Sequence, residues 1–361
     1  APAWVEQDMM AVWHAVVETA HEAVAAAGCR AQDVAAVGVT GQGDGTWLVD
    51  AGGQPLRNAI LWLDGRTGEM VRNAHQSGLS AEVFAVTGTA LNTSNQALHL
   101  RWLEQNEPET LAAAHAALRA KDWVFFNLTG VVSTDESDAS HTYFSPDARQ
   151  YDDRALNLLG VAHLRHLLPD ARPAGANMAP LRADLARSLT LAPGTPVVAG
   201  PFDVAAADLG AGVLRPGDAC TILGTAAIHQ LVLDEPAVEP VNIGYTMCHA
   251  PAGRLVRLLP AMTGTLNLQW FVREFYAAEW AAAEPEDADF WSARETEAAT
   301  VPLGCQGVMY HPFIDPAGER APFVRPDARA QFSGVSVNHT RATLLRAVYE
   351  GVVLSAMDCY D

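Results

Sequence analysis

The sequence has 361 residues, a formal net charge of −19, and a composition that is 49% hydrophobic and only 18% charged. Such a chain can bury large cores, which excludes general disorder, and its length predicts about two to three domains. The negative charge argues against nucleic acid or an anionic membrane as the main partner. No apolar run is long enough to span a bilayer, so no transmembrane helix is expected.

Cysteine and histidine usage indicates a cytoplasmic protein without a protein-ligated metal. The five cysteines are odd in number and form no C-x-x-C motif, which is typical of reduced thiols and not of zinc sites or disulfide frameworks. The twelve histidines show no metal-ligand spacing. Residues 1–8 contain neither the basic nor the apolar region of a signal peptide.

The first elements follow from hydrophobic spacing. An apolar face from Trp13 to Ala27, followed by Gly28, predicts a helix that ends at this glycine. Residues 69–128 have a mainly helical pattern, and the Ser- and Asp-rich residues 134–151 are interpreted as a loop. Short apolar runs predict buried strands at 34–40, 46–50 and 60–63.

A Pro-Gly-Thr-Pro stretch at 193–196 is the best domain boundary, and it predicts domains at 1–196 and 197–361. A helix is predicted from Val204, and a helical pattern covers 343–360. Strands are predicted at 197–200, 219–223 and 228–233, the last two as an antiparallel pair.

Both ends of the sequence are abrupt. No strand precedes the first helix, and the pattern at 343–360 stops without a capping signal. We therefore expect either that these residues belong to a longer chain whose other segments complete the fold, or that they pair with a second copy in a homodimer.

Asp203 stands between a predicted strand and a predicted helix. The carboxyl ends of strands are where α/β proteins bind ligands, and a helix N-terminus favours an ionised carboxylate. Asp203 is therefore a candidate general base. The alternative is an aspartate that only caps the helix.

Two Gly-Thr turns are candidate phosphate-binding elements. Gly224 and Thr225 follow a predicted strand, and Gly264 lies in a second such turn. Backbone N–H groups in these turns can approach an anion, although the lysine of a P-loop is absent. The alternative is a pair of ordinary hairpin turns.

Two loops carry groups that suit a sugar, since each hydroxyl needs a donor and an acceptor. Gln42, Gly43 and Asp44 follow one predicted strand, and Asp64 and Arg66 follow another. The alternative is a pair of turns with a surface ion pair between the last two side chains, which would contribute little.

Two further features receive a structural interpretation. Glu319 and Arg320 lie in a Pro/Gly-rich loop and are predicted to brace a domain edge, with a phosphate contact by Arg320 as the alternative. Lys121 is the only lysine beside 22 arginines, and we interpret this as compositional bias.

Several stretches follow one another along almost the whole chain, at 4–8, 40–45, 60–66, 121–123, 128–130, 203, 223–225, 318–322 and 339–351. Together and in this order they resemble the FGGY family of carbohydrate kinases. The resemblance implies an α/β protein of two actin-like (RNase H-like) domains with an interdomain cleft. Residues 1–196 would be the sugar-binding domain and 197–361 the nucleotide-binding domain.

The resemblance also implies the chemistry. Asp203 matches the general base of the family, Gly43 and Asp44 match positions that line the sugar, and Gly224 with Thr225 matches a turn near the ATP phosphates, as does Gly264. ATP and Mg²⁺ would be the cofactors, and a sugar hydroxyl would receive the phosphoryl group. The family's N-terminal phosphate-binding hairpin and its C-terminal adenosine-binding segment are not in this sequence.

The sugar is expected to be a ketopentose or a related keto-sugar or polyol. Many xylulokinases have Met-His where this chain has Gly43 and Asp44, whereas this loop and residues 138–140 look closer to L-xylulose/3-keto-L-gulonate kinases. The alternatives are an actin-like ATPase without a sugar substrate and a non-catalytic fragment.

Overall fold

The computed structural model describes residues 4–283, 288–316 and 318–360. Residues 1–3 and 361, at the ends of the predicted domain ranges, lie outside them. The chain folds as two compact units, the first formed by Ala1–Asp218 with Val232–Arg257 and the second by Ala219–Leu231 with Leu258–Asp361. The boundary predicted between residues 196 and 197 stays a prediction. No helix among the described residues is long and apolar enough to cross a membrane.

Helices and short strands alternate along the chain. The α-helices are α1 (Met9–Ala27), α2 (Gly68–Ser77), α3 (Leu79–Thr87), α4 (Gln96–Asn106), α5 (Pro108–Ala112), α6 (Ala120–Thr129), α7 (Glu136–Ala139), α8 (Asp153–Leu158), α9 (Ala183–Ala186), α10 (Asp203–Ala211), α11 (Leu266–Phe275), α12 (Ala277–Ala282), α13 (Ala288–Ala299) and α14 (Arg341–Met357). The strands are β1 (Glu6–Gln7), β2 (Val37–Val39), β3 (Trp47–Val49), β4 (Ala59–Ile60), β5 (Ala116–Leu118), β6 (Ser133–Asp135), β7 (Phe144–Ser145), β8 (Gln150–Tyr151), β9 (Asp170–Arg172), β10 (Met178–Pro180), β11 (Pro196–Ala199), β12 (Ala219–Leu223), β13 (Ala227–Leu233), β14 (Tyr245–Cys248), β15 (Leu255–Ala261), β16 (Met309–His311) and β17 (Gln331–Ser333).

The first helix has the boundaries that its sequence signals predict. The Asp8 carboxylate accepts the backbone N–H groups of Met10 and Ala11 at 2.8 and 3.1 Å, which caps the helix at its start. Gly28 ends the helix with a φ of 61°, a left-handed conformation that glycine adopts without steric cost.

The first unit is organised around two parallel strands. β2 and β11 pair in parallel with Val37 opposite Val197, and β10 pairs antiparallel with β11. Their β-branched side chains suit a pleated, half-buried surface. Val197 and Ala199 are fully buried in a core that also contains Trp123 of α6.

Two regions of the first unit differ from the sequence prediction. The stretch 69–128 is mainly helical, but it contains the buried strand β5, which pairs antiparallel with β3. The Ser- and Asp-rich composition of residues 134–151 predicts a loop. The stretch instead contains parts of β6, α7, β7 and β8. Many of its polar side chains are buried because they form a charged cluster inside this unit.

The second unit contains the predicted hairpin. β12 pairs antiparallel with β13, from Ala219 opposite Leu231 to Leu223 opposite Ala227, which confirms the pairing expected from the sequence. The core of this unit includes Phe271 of α11. The helix expected at 343–360 is α14, which begins earlier, after a capping box at Thr340.

Candidate active site

The loops that follow β2 and β11 are held together at the carboxyl ends of these parallel strands. The Thr40 hydroxyl donates to the Pro201 carbonyl oxygen at 2.7 Å, and the Asp203 backbone N–H donates to the Gly41 carbonyl oxygen at 2.9 Å. The predicted base and the predicted sugar-binding loop therefore meet in the first unit, at the edge of the sheet where ligands bind in such folds.

Asp203 is the first residue of α10, and its side chain is exposed. Its Oδ1 accepts the backbone N–H of Val204 at 2.8 Å. The surrounding protein removes part of the water that would solvate the carboxylate, and this desolvation raises the pKa of Asp203 above its usual range. The charge of Asp138 acts in the same direction, whereas the Val204 N–H and His141 act against it.

Gly43 lies directly against two rings. A Cβ atom at this position would lie 2.6 Å from Cε1 of His141 and 2.8 Å from Cδ2 of Phe202, so a side chain here would displace one of them. The imidazole of His141 stands edge-on to Phe202, with ring centres 4.5 Å apart, and edge-on to Tyr245 at 5.8 Å. Glycine at position 43 is therefore what lets His141 reach this loop.

Only one of the two carboxylate oxygens of Asp44 accepts a hydrogen bond from the protein. Its backbone has a φ of 60°, which aspartate tolerates better than most residues. Oδ2 accepts the Ser94 hydroxyl at 2.7 Å, while Oδ1 is buried and has no hydrogen-bond partner in the described part of the chain. Gln42, two residues earlier, is half-buried. This loop thus contains a carboxylate oxygen with unused acceptor capacity.

The only lysine of the sequence lies in a buried cluster of charges. Nζ of Lys121 is 2.7 Å from Asp122, 2.8 Å from Asp135 and 3.3 Å from Asp138, and all four side chains are fully buried. Burial opposes the charge of Lys121, but the three carboxylates outweigh it and raise its pKa well above the usual value. Interpreting this lysine as compositional bias was wrong.

Asp138 connects this cluster to His141. Nδ1 of His141 lies 3.1 Å from the backbone oxygen of Asp138 and 3.4 Å from its carboxylate. Burial works to raise the pKa of Asp138, but Lys121, His141 and Arg119 outweigh it and lower it to about 2. Burial likewise opposes protonation of His141, yet Asp44 and Asp138 raise its pKa. Sequence reasoning missed His141, and no local motif marks it.

Asp64, one of the other predicted sugar contacts, is saturated by protein groups, whereas Nη1 of its partner Arg66 is buried without a hydrogen-bond partner among the described residues. Oδ1 of Asp64 accepts the backbone N–H and Nε of Arg66, both at 2.8 Å, and Oδ2 accepts Nη2 of Arg66 at 2.9 Å and the Val5 N–H at 2.6 Å. The guanidinium also lies 4.7 Å from the ring centres of Trp4 and Trp102. Both charged side chains are fully buried, so this is not a surface ion pair.

The two Gly-Thr turns come together in the second unit. A Cβ atom on Gly264 would lie 2.5 Å from the carbonyl oxygen of Thr225 and 2.6 Å from that of Gly224, so only glycine allows this contact. The Thr265 backbone N–H donates to the Gly224 oxygen at 2.8 Å. In contrast, Thr225 and Ala226 are exposed residues whose backbone N–H groups have no partner among the described residues, which suits an anion.

Glu319 braces the second of these turns. Its carboxylate accepts the Met262 backbone N–H at 2.6 Å, the Thr263 hydroxyl at 2.6 Å and the Arg320 backbone N–H at 2.8 Å, and it is almost completely buried. Glu319 therefore holds this turn within the second unit, and the predicted bracing of a domain edge stays a prediction.

Metal ligation by a cage of side chains is not seen. Within 4–283, 288–316 and 318–360, no group of three or more His, Cys, Asp or Glu side chains is arranged to hold a metal ion. A divalent cation that enters with a nucleotide needs no such cage, since phosphate oxygens, waters and one or two carboxylates usually complete its coordination.

Comparison with known proteins assigns the chain. Residues 1–210 match the N-terminal domain of the FGGY family of carbohydrate kinases, and residues 219–361 match its C-terminal domain. The chain belongs to the FGGY family of carbohydrate kinases. It is therefore a phosphotransferase with an alcohol acceptor, which binds a sugar or polyol and ATP and works with a divalent metal. The predicted family and enzyme class are confirmed.

The similar proteins are sugar and polyol kinases. An erythritol kinase of Brucella abortus is 34% identical over 370 residues, which cover 99% of this chain and 69% of the relative. An L-xylulose/3-keto-L-gulonate kinase of Escherichia coli is 29% identical over 360 residues, which cover 99% of this chain and 68% of the relative. The structure of a xylulose kinase from Rhodospirillum rubrum matches this FGGY kinase with a TM-score of 0.84 and 26% identity, covering 97% of this chain and 69% of that one. These matches confirm the predicted two-domain, actin-like fold class.

Proposed function

We propose that this kinase transfers the γ-phosphoryl group of ATP to a hydroxyl of a small, neutral polyol or ketose, with Asp203 as the general base. The observation that carries the proposal is the hydrogen bond between Asp203 and Gly41, because it holds an exposed carboxylate beside the loop that contains Gln42 and Asp44. Sugar hydroxyls need such polar groups close together, and an alcohol nucleophile needs a base within reach.

Asp203 suits this role chemically. Its pKa is raised, which strengthens it as a base, while the N-terminus of α10 and the Val204 N–H favour the ionised form. The carboxylate would accept the proton of the reacting hydroxyl and orient its oxygen for in-line attack. Positioning and electrostatic stabilisation carry most of the rate enhancement in phosphoryl transfer, so the base need not be strong.

ATP would supply the phosphoryl group. Mg²⁺, the proposed cation, would neutralise part of the charge of the phosphates. We propose that Gly224, Thr225 and Gly264 hold the phosphates. The support is that the exposed residues Thr225 and Ala226 have backbone N–H groups without a partner among the described residues. In addition, Gly264 packs against this turn so closely that a side chain would block the contact. The resemblance to the family implies the same role, because it matches these turns to turns near the ATP phosphates.

The charges of the sugar-binding loop favour a neutral substrate. Asp44 and Asp203 are both carboxylates, and they would repel the negative charge of a sugar acid bound beside them. The name of the Escherichia coli relative includes a sugar acid, whereas that of the Brucella relative is a neutral polyol. We therefore place the substrate among neutral polyols and keto-sugars, in agreement with the class expected from the sequence.

For Asp64 and Arg66 we propose an indirect role. Each oxygen of Asp64 already accepts two protein donors, so little acceptor capacity is left for a sugar. The pair would stabilise the polypeptide after β4 and hold Val5 in place. A homodimer and a cytoplasmic location stay predictions from the sequence.

The test is a substrate screen with the whole protein. Release of ADP is measured with four- to six-carbon polyols, ketoses and aldonates, for the wild type and for Asp203→Asn. Asp153→Asn is the matched control, since Asp153 is an exposed first residue of a helix, α8. Turnover that needs a neutral sugar and is lost only in Asp203→Asn supports the proposal. ATP hydrolysis that ignores sugar would indicate an ATPase module, and neither turnover nor sugar binding would indicate a non-catalytic protein.

A further inference from the structure

His141 has a ring nitrogen that is not hydrogen-bonded by the protein. The residue is only 4% exposed. Its Nδ1 contacts Asp138, whereas its Nε2 has no hydrogen-bond partner in the described part of the chain. Nε2 also faces the sugar-binding loop, because it lies 3.2 Å from where a Cβ of Gly43 would stand. A ring nitrogen that no protein group uses, beside the predicted sugar-binding loop, is available to a ligand.

A second unpaired atom lies on the next residue of the loop. Oδ1 of Asp44 is buried without a partner, and Asp44 is close enough to His141 to favour its protonated form. One atom is therefore a donor and the other an acceptor. A sugar hydroxyl both donates and accepts, so one hydroxyl, or two neighbouring ones, would pair both atoms at once.

We propose that His141 is a specificity-determining residue of this kinase, which contacts the sugar through Nε2 while Asp44 accepts a hydroxyl proton of the same sugar. The inference rests on the proposed function. Gly43 is needed for this contact, because the imidazole occupies the space that a side chain at position 43 would fill. Asp138 fixes the ring by holding Nδ1, and Lys121 holds Asp138 in turn. The buried cluster thus orients one ligand-binding nitrogen.

The experiment compares two substitutions of His141 against a panel of sugars. His141→Phe keeps an aromatic ring beside Phe202 and Tyr245 but removes Nε2, and His141→Gln restores a donor without the ring. Affinity for the best neutral sugar and for its monodeoxy analogues is measured by calorimetry in the non-turning-over Asp203→Asn background. KM values for sugar and ATP are measured separately in the otherwise wild-type enzyme. His75→Phe, at an exposed position in α2, is the control.

The expected result is a pattern across the panel. His141→Phe weakens the binding of the best sugar about 10- to 100-fold, as expected for loss of a hydrogen bond from a charged donor. His141→Gln recovers part of this loss, and the KM for ATP does not change. One deoxy analogue, which lacks the contacted hydroxyl, binds equally to the wild type and to His141→Phe. A purely structural role of the ring would weaken the binding of every analogue, so equal affinity for one analogue alone distinguishes a direct contact.

The contrary results are distinct. If His141→Phe leaves sugar affinity unchanged, or weakens every analogue by the same factor, the inference is wrong while the proposed function stands. If a neutral sugar binds in a His141-dependent manner but is not phosphorylated, the proposed function fails and the sugar contact stands. If no sugar of the panel binds, both fail.

Discussion

Asp44 and Asp64 are both loop carboxylates of the first unit, yet the protein treats them in opposite ways. Asp64 accepts four N–H donors from Val5 and Arg66, so the protein itself uses both of its oxygens. Asp44 accepts one hydroxyl at Oδ2, and its buried Oδ1 is left without a partner. The unused capacity of a buried carboxylate, more than its presence in a loop, separates a ligand-binding group from a structural one.

The unpaired oxygen of Asp44 and the buried ion pair of Asp64 affect the free energy of folding differently. A buried polar atom without a partner costs about 1–3 kcal/mol, which a folded protein tolerates at a site where a ligand recovers it. A buried ion pair such as Asp64 with Arg66 gives little net stability, but removal of one partner costs about 3–5 kcal/mol because the other charge is left buried. The comparison therefore predicts loss of function at one place and loss of stability at the other.

The largest effect is expected at Asp203, the exposed carboxylate beside Asp44. Asp203→Asn removes the proton acceptor and should lower kcat about 10²- to 10⁴-fold, while sugar affinity changes little because the side chain stays nearly isosteric. Steady-state kinetics and calorimetry check this. A normal kcat in the variant would rule out Asp203 as the base.

A substitution in the buried Asp64–Arg66 pair should lower the stability of the fold. Arg66→Met leaves the Asp64 carboxylate buried without its cation and should lower the free energy of unfolding by about 3–5 kcal/mol. Urea unfolding measures the loss. In the fraction that remains folded, KM for the sugar should match the wild type. A variant that unfolds normally but has a raised sugar KM would place Arg66 in the sugar site, as the sequence suggested.

Asp44 should show the opposite behaviour. Asp44→Ala removes an acceptor for the sugar and should raise the sugar KM about 10- to 100-fold, as for other hydrogen bonds to charged groups. The KM for ATP should stay close to the wild type, whereas the left-handed backbone at this position, which alanine tolerates less well than aspartate, should lower the urea midpoint slightly. An unchanged sugar profile in this variant would contradict its assignment to the site.

The smallest effect concerns pH. Because the pKa of Asp203 is raised above its ordinary value of 3.8, the acid limb of kcat/KM should lie above that pH, with activity lost as pH falls and the base is protonated. The positive charge of His141 lowers this pKa and Asp138 raises it. His141→Phe should therefore shift the limb to higher pH. An unchanged limb would show that the imidazole is not charged beside Asp203.

Much of this site could be predicted from the sequence, because its parts sit at strand ends. The apolar runs of β2 and β11 mark the strands, and parallel strands bring the loop at Gly43 and the residue Asp203 to one edge of the sheet. The two Gly-Thr turns were visible for the same reason, since glycine reports a close approach of backbones.

The rest depends on contacts between distant segments. The saturation of Asp64 comes from Val5, 59 residues away, and no pattern near Asp64 announces it. Residues 134–151 resembled a loop because polar residues usually face water. Here Asp135 and Asp138 are polar because they surround Lys121. A single lysine next to Asp122 in an arginine-rich sequence was the one available signal.

The burial of Lys121 has a consequence for labelling chemistry. It is the only lysine of this sequence, and it is 1% exposed with its amine held by three carboxylates. Acylating and cross-linking reagents attack neutral, accessible amines, and this side chain offers neither property in the folded state. Its acylation should therefore proceed only as fast as the first unit opens. Mass spectrometry of the peptide that contains Lys121 would then count opening events, with no signal from other lysines of the sequence.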